Sequence, residues 1–559
     1  MAFEIDVSPR RRNRYWFAYR SPIVGIVDFT SVNEEGREEM IYQPRIAFIL
    51  ILLGLLAGVS IADAQSPQQV VRTFRENNEA AILGDFREFL RYPNRARDLD
   101  DIEAVASYIR DELIEVGVHS ELLRIDGVPP IVYGEILVPG ATRTLGIYVH
   151  YDGQAVDPNN WTHPPFEPML YTASMEAGGE PRPFPTEGDP VDPEWRIYAR
   201  SAGDDKAPIA ALIPVLESFR NAGVTPTSNL VFFFDGEEEA GSRNLGDYMR
   251  RWNDKIEDVD IWLFFDGPAH VSGRPQVTFG VRGSMGLEVT VYGATRNLHS
   301  GHYGNWTPDT GNILARLLAS MKDEKGRVLI DGWYDTADPI GDEELAALRG
   351  MPDWDGQLKE ELGLVWTEGQ PEKLPERLMV PALNVRGITS GNTGSLARNV
   401  IPNTAVASLG VRLVKGNEPE HMKNLVVSHI EKMGFHVVSE DPDITLRMQF
   451  PRIAKITGGG GSVASRTSMA DPFAQSVVAA AREAAEQTFG EDALVVAPGM
   501  GGTLPLGVLT EVTGKPAIIV PVANHDNNQH APDENLRIAN LWYAIDLYAS
   551  LLTMPSTLF

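Results

Sequence analysis

Asn229-Leu-Val-Phe-Phe-Phe-Asp-Gly-Glu-Glu-Glu-Ala-Gly-Ser242 is the stretch that decides the fold. Its apolar half is continuous rather than alternating, which suits a strand covered on both faces of a sheet. Its polar half begins where the strand should end. Three adjacent glutamates, Glu237, Glu238 and Glu239, repel one another, and a buried site would need a cation to offset them. A solvated acidic loop is the competing reading, and the flanking glycines favour a site.

Working outward, the same pattern recurs. Thr144-Leu-Gly-Ile-Tyr-Val-His150 and Asp260-Ile-Trp-Leu-Phe-Phe265 are apolar runs that end on His150-Tyr-Asp152 and Asp266-Gly-Pro. Helical periodicity covers much of Gln69–Gly117, and Ala207–Ala222 reads as a helix. Strand and helix alternation predicts an α/β fold, a mainly parallel sheet with helices on its faces. Such sheets place their sites at the carboxyl ends of strands, and His150, Glu238, Glu239 and Asp266 fall there. Asp204-Asp205-Lys206 precedes the helix expected from about Pro208, where helix capping by acids competes with a ligand role. His530-Ala-Pro-Asp-Glu534 lies in a polar loop before a last helix expected from Leu536.

The texture changes near Gly280. Ser284–Tyr292, Asn384–Ile388 and Ala405–Val414 read as half-exposed strands, with a helix candidate at His421–Met433. This predicts an inserted α+β domain over residues 283–455, between two parts of the first domain at 65–282 and 456–559. Gly458-Gly-Gly-Gly461-Ser reads as a hinge or loop.

Acidic residues number 77 against 49 basic, a net charge of -28, which argues against nucleic acid or an anionic membrane as partner. The chain has no cysteine, so disulfides, thiolate metal sites and a cysteine nucleophile are excluded. Residues 40–64 carry Arg45, an apolar run from Ile46 to Ala62 and a small-residue site at Ala62-Asp-Ala64, the pattern of a signal peptide. Export to a periplasm or outside the cell is expected, with an uncleaved membrane anchor as the alternative. Met40 is the expected start, with residues 1–39 a non-native extension.

In order, the five stretches resemble the motifs of the M20 family of metallopeptidases, which includes dipeptidases, carnosinases, aminoacylases and carboxypeptidases. They match HxD, (S/G)xxDDK, GxEExGS, a later Asp and HxPxE from about residue 70 to the end. The resemblance implies a zinc-exopeptidase-like catalytic domain with a lid and dimerisation domain. It implies two divalent metal ions per chain, Zn2+ with Mn2+ or Co2+ as alternatives. Asp204 would bridge them, His150 and Asp266 would complete one site, and Glu239 and His530 the other. Glu238 would be the general base and Asp152 would orient His150.

On the same resemblance, His299 would reach across a homodimer to stabilise an oxyanion in the partner's site. Asn399, Arg412, Gly502 and Thr503 would hold the substrate's carboxylate. The implied reaction is hydrolysis of a dipeptide or short peptide beside a free carboxylate. An N-acyl or N-carbamoyl amino acid amidohydrolase is the alternative. Ser201, Ala207 and Gly153-Gln154 depart from the usual family residues without touching a ligand position, which bears on pocket shape and hence on substrate.

Overall fold

The computed structural model describes residues 65–555. The expected signal peptide at 40–64 and extension at 1–39 lie outside them. Among the described residues, no helix is long and apolar enough to cross a membrane.

An eight-stranded mixed sheet forms the larger part. Its spatial order is His119–Leu123, Ile131–Ile136, Asn229–Asp235, Thr144–His150, Ile261–Phe264, Ala517–Ile519, Gln276–Thr278 and Val495–Ala497. The four strands from Asn229–Asp235 to Ala517–Ile519 run parallel, while the first two pair antiparallel beside them. The apolar runs behave as their composition demands: every residue of Thr144–His150 and Ile261–Phe264 is buried. One face packs on helices Pro67–Leu90, Leu99–Glu115, Lys206–Ala222, Pro472–Phe489 and Ile538–Leu552 through Phe86, Ile102, Leu212, Ala481 and Tyr548. The other carries Phe233, Trp262 and Phe264 against Tyr248, Met249 and Leu509.

A second sheet of five strands has its own core. Its order is Ala382–Thr389, Thr404–Leu413, Gly283–Tyr292, Ile453–Ser462 and His436–Val438. Met285, Leu287, Val289 and Val291 alternate inward and meet Leu314, Leu317, Met422 and Val426 of helices Thr310–Ala319 and Pro419–Lys432. Period-two burial on one face is what a sheet covered on one side requires.

The glycine stretch corrects the sequence reading. Gly458–Ser462 is not a loop but the second half of the strand Ile453–Ser462, paired with Gly283–Tyr292. The second sheet therefore runs past residue 455. Glycine is required there by crowding: a methyl group on Gly461 would lie 2.0 Å from the Ser284 carbonyl oxygen, and on Gly458 2.5 Å from that of Gly286. Gly458 also adopts φ +86°, a left-handed conformation that side-chain-bearing residues resist.

Candidate active site

Parallel pairing brings the polar strand ends together. Thr144–His150 lies between Asn229–Asp235 and Ile261–Phe264, with His150 in register with Asp235. His150, the Glu237–Glu239 turn and Asp266 therefore emerge at one edge of the sheet. Asp204 arrives from the turn before helix Lys206–Ala222, and His530 from the loop before strand Asn535–Arg537. Asp205, at the helix N-cap position, makes no side-chain capping bond, so the capping explanation of the acid pair does not hold.

Asp204 stands between the two histidines. Its Oδ1 is 2.9 Å from His150 Nε2, and its Oδ2 is 3.1 Å from His530 Nε2. His530 Nε2 lies 3.2 Å from Glu239 Oε2, and Asp266 Oδ2 lies 3.9 Å from His150 Nε2. Two groups of three donors have their ligand atoms within 4.8 Å of one another: His150, Asp205 and Asp266, and Asp204, Glu239 and His530. The grouping puts Asp205 rather than Asp204 with His150. The shorter contacts put Asp204 against both histidines, one carboxylate oxygen for each, and that arrangement suits a shared ligand. Asp205 was not singled out by sequence. Its carboxylate lies with the donor atoms of His150 and Asp266 in the first of these groups.

A surrounding frame fixes these groups. Asp152 is fully buried; its two oxygens accept the N–H groups of Glu238 and Glu239 at 3.0 Å each, while Oδ1 lies 3.3 Å from His150 Nδ1. One side chain thus sets the imidazole and the glutamate turn together. Glu534, also fully buried, accepts from Ser201 N–H at 3.0 Å, Gly203 N–H at 3.0 Å and Asp204 N–H at 2.8 Å, and pairs with Arg200 at 2.5 Å. The loop that presents Asp204 is pinned to the loop that presents His530. The Lys206 ammonium donates to the carbonyls of Phe89 at 3.1 Å and Tyr92 at 2.7 Å, at the end of helix Pro67–Leu90. A cation there meets the negative end of the helix dipole.

The electrostatics are those of crowded acids in a dry site. Burial pushes the carboxyls of Asp205 and Glu238 well up, that of Glu239 to about 7 and that of Asp266 to about 6, with neighbouring carboxylates adding to each. Burial opposes charge on His150, but Asp152 and Asp204 outweigh it and hold the imidazole pKa well above its usual range. The hydrogen bond to Asp204 raises His530 to about 9. Burial would raise Asp204, yet the two imidazoles hold it below the usual carboxylate range. Carboxylate oxygens and imidazole nitrogens, in excess of any cationic side chain, form a donor set that fits divalent ions of the zinc or manganese type. Asp205 Oδ2 is buried without a hydrogen-bond partner.

The residues assigned by resemblance to substrate binding fall in two places. Arg412 donates to Thr503 Oγ1 at 2.8 Å, with Gly502 adjacent. Met500 links this pair to the acidic cluster, since a methyl group built on Gly502 would lie 3.3 Å from its Cε and one on Gly267, beside Asp266, 3.6 Å from it. Asn399 and His299 lie on the second domain and are exposed. Ser300 N–H donates to the Asn399 carbonyl at 2.9 Å, and the His299 ring accepts from Gly301 N–H at 3.1 Å. Arg282 was missed by sequence. It is buried, and its backbone N–H donates to the Gly502 carbonyl at 3.2 Å.

Comparison with known proteins adds an independent line. The family model for peptidase family M20/M25/M40 matches residues 146–554. The Cys-Gly metallodipeptidase dug1 of Schizosaccharomyces pombe is 26% identical over 80% of this chain and 89% of its own. The human Beta-Ala-His dipeptidase is 23% identical over 76% of this chain and 77% of its own. Among solved structures, the M20 family metallo-carboxypeptidase Sso-CP2 of Sulfolobus solfataricus is similar with a TM-score of 0.66 and 28% identity, covering 84% of this chain and 98% of that one. The chain is an enzyme of the M20/M25/M40 peptidase family.

Proposed function

We propose that this chain is an exported, dinuclear-metal dipeptidase that cleaves the amide bond next to a free carboxylate. The observation that carries the reading is Asp204, held with one oxygen toward each histidine. In this reading His150, Asp204 and Asp266 hold one ion, Asp204, Glu239 and His530 hold the other, and both are Zn2+. When bound, such a pair polarises a carbonyl oxygen and acidifies a water.

Every other step belongs to side chains. Glu238 takes a proton from the attacking water as its oxygen bonds to the carbonyl carbon. It then delivers that proton to the amine as the C–N bond breaks. Burial raises the proton affinity of its carboxylate, which suits a group that must take a proton from water and hold it until the amine leaves. Asp152 keeps His150 and the glutamate turn in place through the three contacts described above. The Arg412 guanidinium and the Thr503 hydroxyl, already 2.8 Å apart, receive the substrate's carboxylate, for which a planar guanidinium suits bidentate contact.

Exposed His299 supplies the oxyanion donor from a second copy of the chain. The strand Ala382–Thr389, at the edge of the second sheet, supports that assembly: six of its eight residues are exposed, with Val385 at 47% and Ile388 at 60%. An apolar open edge invites pairing with another chain.

The test is a screen of dipeptides against N-acyl amino acids, with and without chelator, on the parent and on Glu238→Gln. Chelator-sensitive dipeptide hydrolysis lost in Glu238→Gln is the expected result. Turnover of N-acyl amino acids in place of dipeptides overturns the substrate assignment, and activity indifferent to chelator overturns the mechanism.

A further inference from the structure

Outside the acidic cluster, the two sheets are joined by a short ladder, Gly280–Val281 paired with Ser465–Arg466. Beside this ladder lies a cavity of about 20 Å³, and three cationic side chains line it: Arg282, Lys415 and Arg466. They come from three separate segments, the first two at the ends of the ladder strand and of Thr404–Leu413. No acidic side chain lines the cavity.

The three cations lack counter-charges. None makes an ion pair among the described residues. Their hydrogen bonds go to backbone carbonyls instead: Arg282 Nη2 to Val380 at 2.9 Å, Lys415 Nζ to Arg466 at 2.8 Å, and Arg466 Nη2 to Pro339 at 2.8 Å. Arg282 is only 8% exposed, and its Nε is buried without a partner. Burial, followed by the guanidinium groups of Arg412 and Arg377, lowers it to about 10. Lys415 and Arg466 also line an adjoining cavity with Asp338, Glu418, Asp471 and Glu511, but no acid lines the cavity beside Arg282. Buried charge is costly unless it is paired, so Arg282 calls for an anion that is not part of the chain, with exposed Lys415 and half-buried Arg466 beside it.

We propose that this cavity binds one small monovalent inorganic anion, of chloride type, between Arg282, Lys415 and Arg466. Size favours a monatomic ion. A single water needs roughly 10–15 Å³ of such space, so a cavity of about 20 Å³ takes one ion slightly larger than water. The site is separate from the metal reading and does not depend on it. Its consequence reaches the substrate side all the same. Met500 N–H donates to Gly280 at 3.0 Å and Arg282 N–H to Gly502 at 3.2 Å. The ladder therefore holds the segment that presents Thr503 to Arg412, and an anion fastened to Arg282 stiffens that segment.

The test uses the full metal-loaded protein without substrate. Sodium gluconate is replaced by sodium chloride at constant ionic strength, and the thermal midpoint is followed. The expected result is a saturable rise of about 2 °C or more in chloride, since a ligand of the folded state alone raises its stability. In crystals grown with bromide, anomalous density is expected between the three side chains. Arg466→Gln, at a half-buried position, is expected to lose both responses; Arg282→Met is the second variant, at the buried position. Equal midpoints in chloride and gluconate, or an Arg466→Gln protein that responds like the parent, would overturn the proposal. Loss of the dipeptidase reading alone would leave these readouts unchanged.

Discussion

Replacing Glu534 by glutamine is expected to damage both stability and metal retention, although the residue touches no metal. Both of its oxygens are in use. Oε2 pairs with Arg200 and accepts Ser201 N–H, and Oε1 accepts Gly203 N–H and Asp204 N–H. Glutamine keeps one acceptor oxygen and turns an amide NH2 toward donors. Two of the four contacts become donor facing donor, whichever way the amide is placed. Arg200, at 3% exposure, loses its counter-charge in either placement, and with the NH2 on its side it keeps only the Ala531 carbonyl at 3.3 Å and the Trp161 ring at 5.0 Å. Removing one partner of a buried pair costs about 3–5 kcal/mol. Urea unfolding of the metal-free protein reads that cost without any contribution from bound ions. Elemental analysis of the variant should show reduced metal, because the Asp204 N–H loses its anchor. The double variant Arg200→Met, Glu534→Gln should recover part of the loss, with a coupling of about 1–3 kcal/mol. A loss under about 1 kcal/mol with full metal content would refute the reasoning.

Three further outcomes are expected. Arg412→Met should raise KM for a dipeptide by about 10²-fold or more, as expected when a charge-assisted bond to a carboxylate is lost, with metal content unchanged; steady-state kinetics decide. His299→Ala should lose turnover and keep its metals, and mixing it with Glu238→Ala should restore part of the activity through mixed dimers; absence of complementation would contradict the role across subunits. His270 is lowered from 6.5 to about 4, by burial first and then by Arg274 and His525. Above pH 6.5 it is neutral in both states; below 6.5 the unfolded chain takes up a proton that the folded one refuses until about 4, so stability falls through that window. His270→Gln should flatten this part of a urea-midpoint profile against pH.

The strands of the larger sheet were legible because two-sided burial leaves one mark, an unbroken apolar run, as in Thr144–His150. The strand ends were legible for the same reason: polar residues that interrupt such a run stand at the edge of the sheet. Gly458–Ser462 was not legible. Side-chain pattern carries the signal for strands, and these glycines are there to admit a neighbouring backbone, which leaves no pattern. Asp204 stood out only through the DDK motif, because an acid before a helix is ordinary. What excludes capping is the direction of its carboxylate, which no spacing reveals. Arg282 and the anchoring contacts of Glu534 depend on segments hundreds of residues apart: Glu534 meets Arg200 across 334 positions. The -28 charge also hid the local cationic cavity, because a total says nothing about where charges gather.

The most direct test of the central claim is metal content per chain, measured by elemental analysis on the parent, Glu238→Gln and Asp204→Ala after identical loading and desalting. The account predicts two ions in the parent, two in an inactive Glu238→Gln and fewer than one in Asp204→Ala, since its carboxylate serves both sites. A fully loaded Asp204→Ala protein would contradict it.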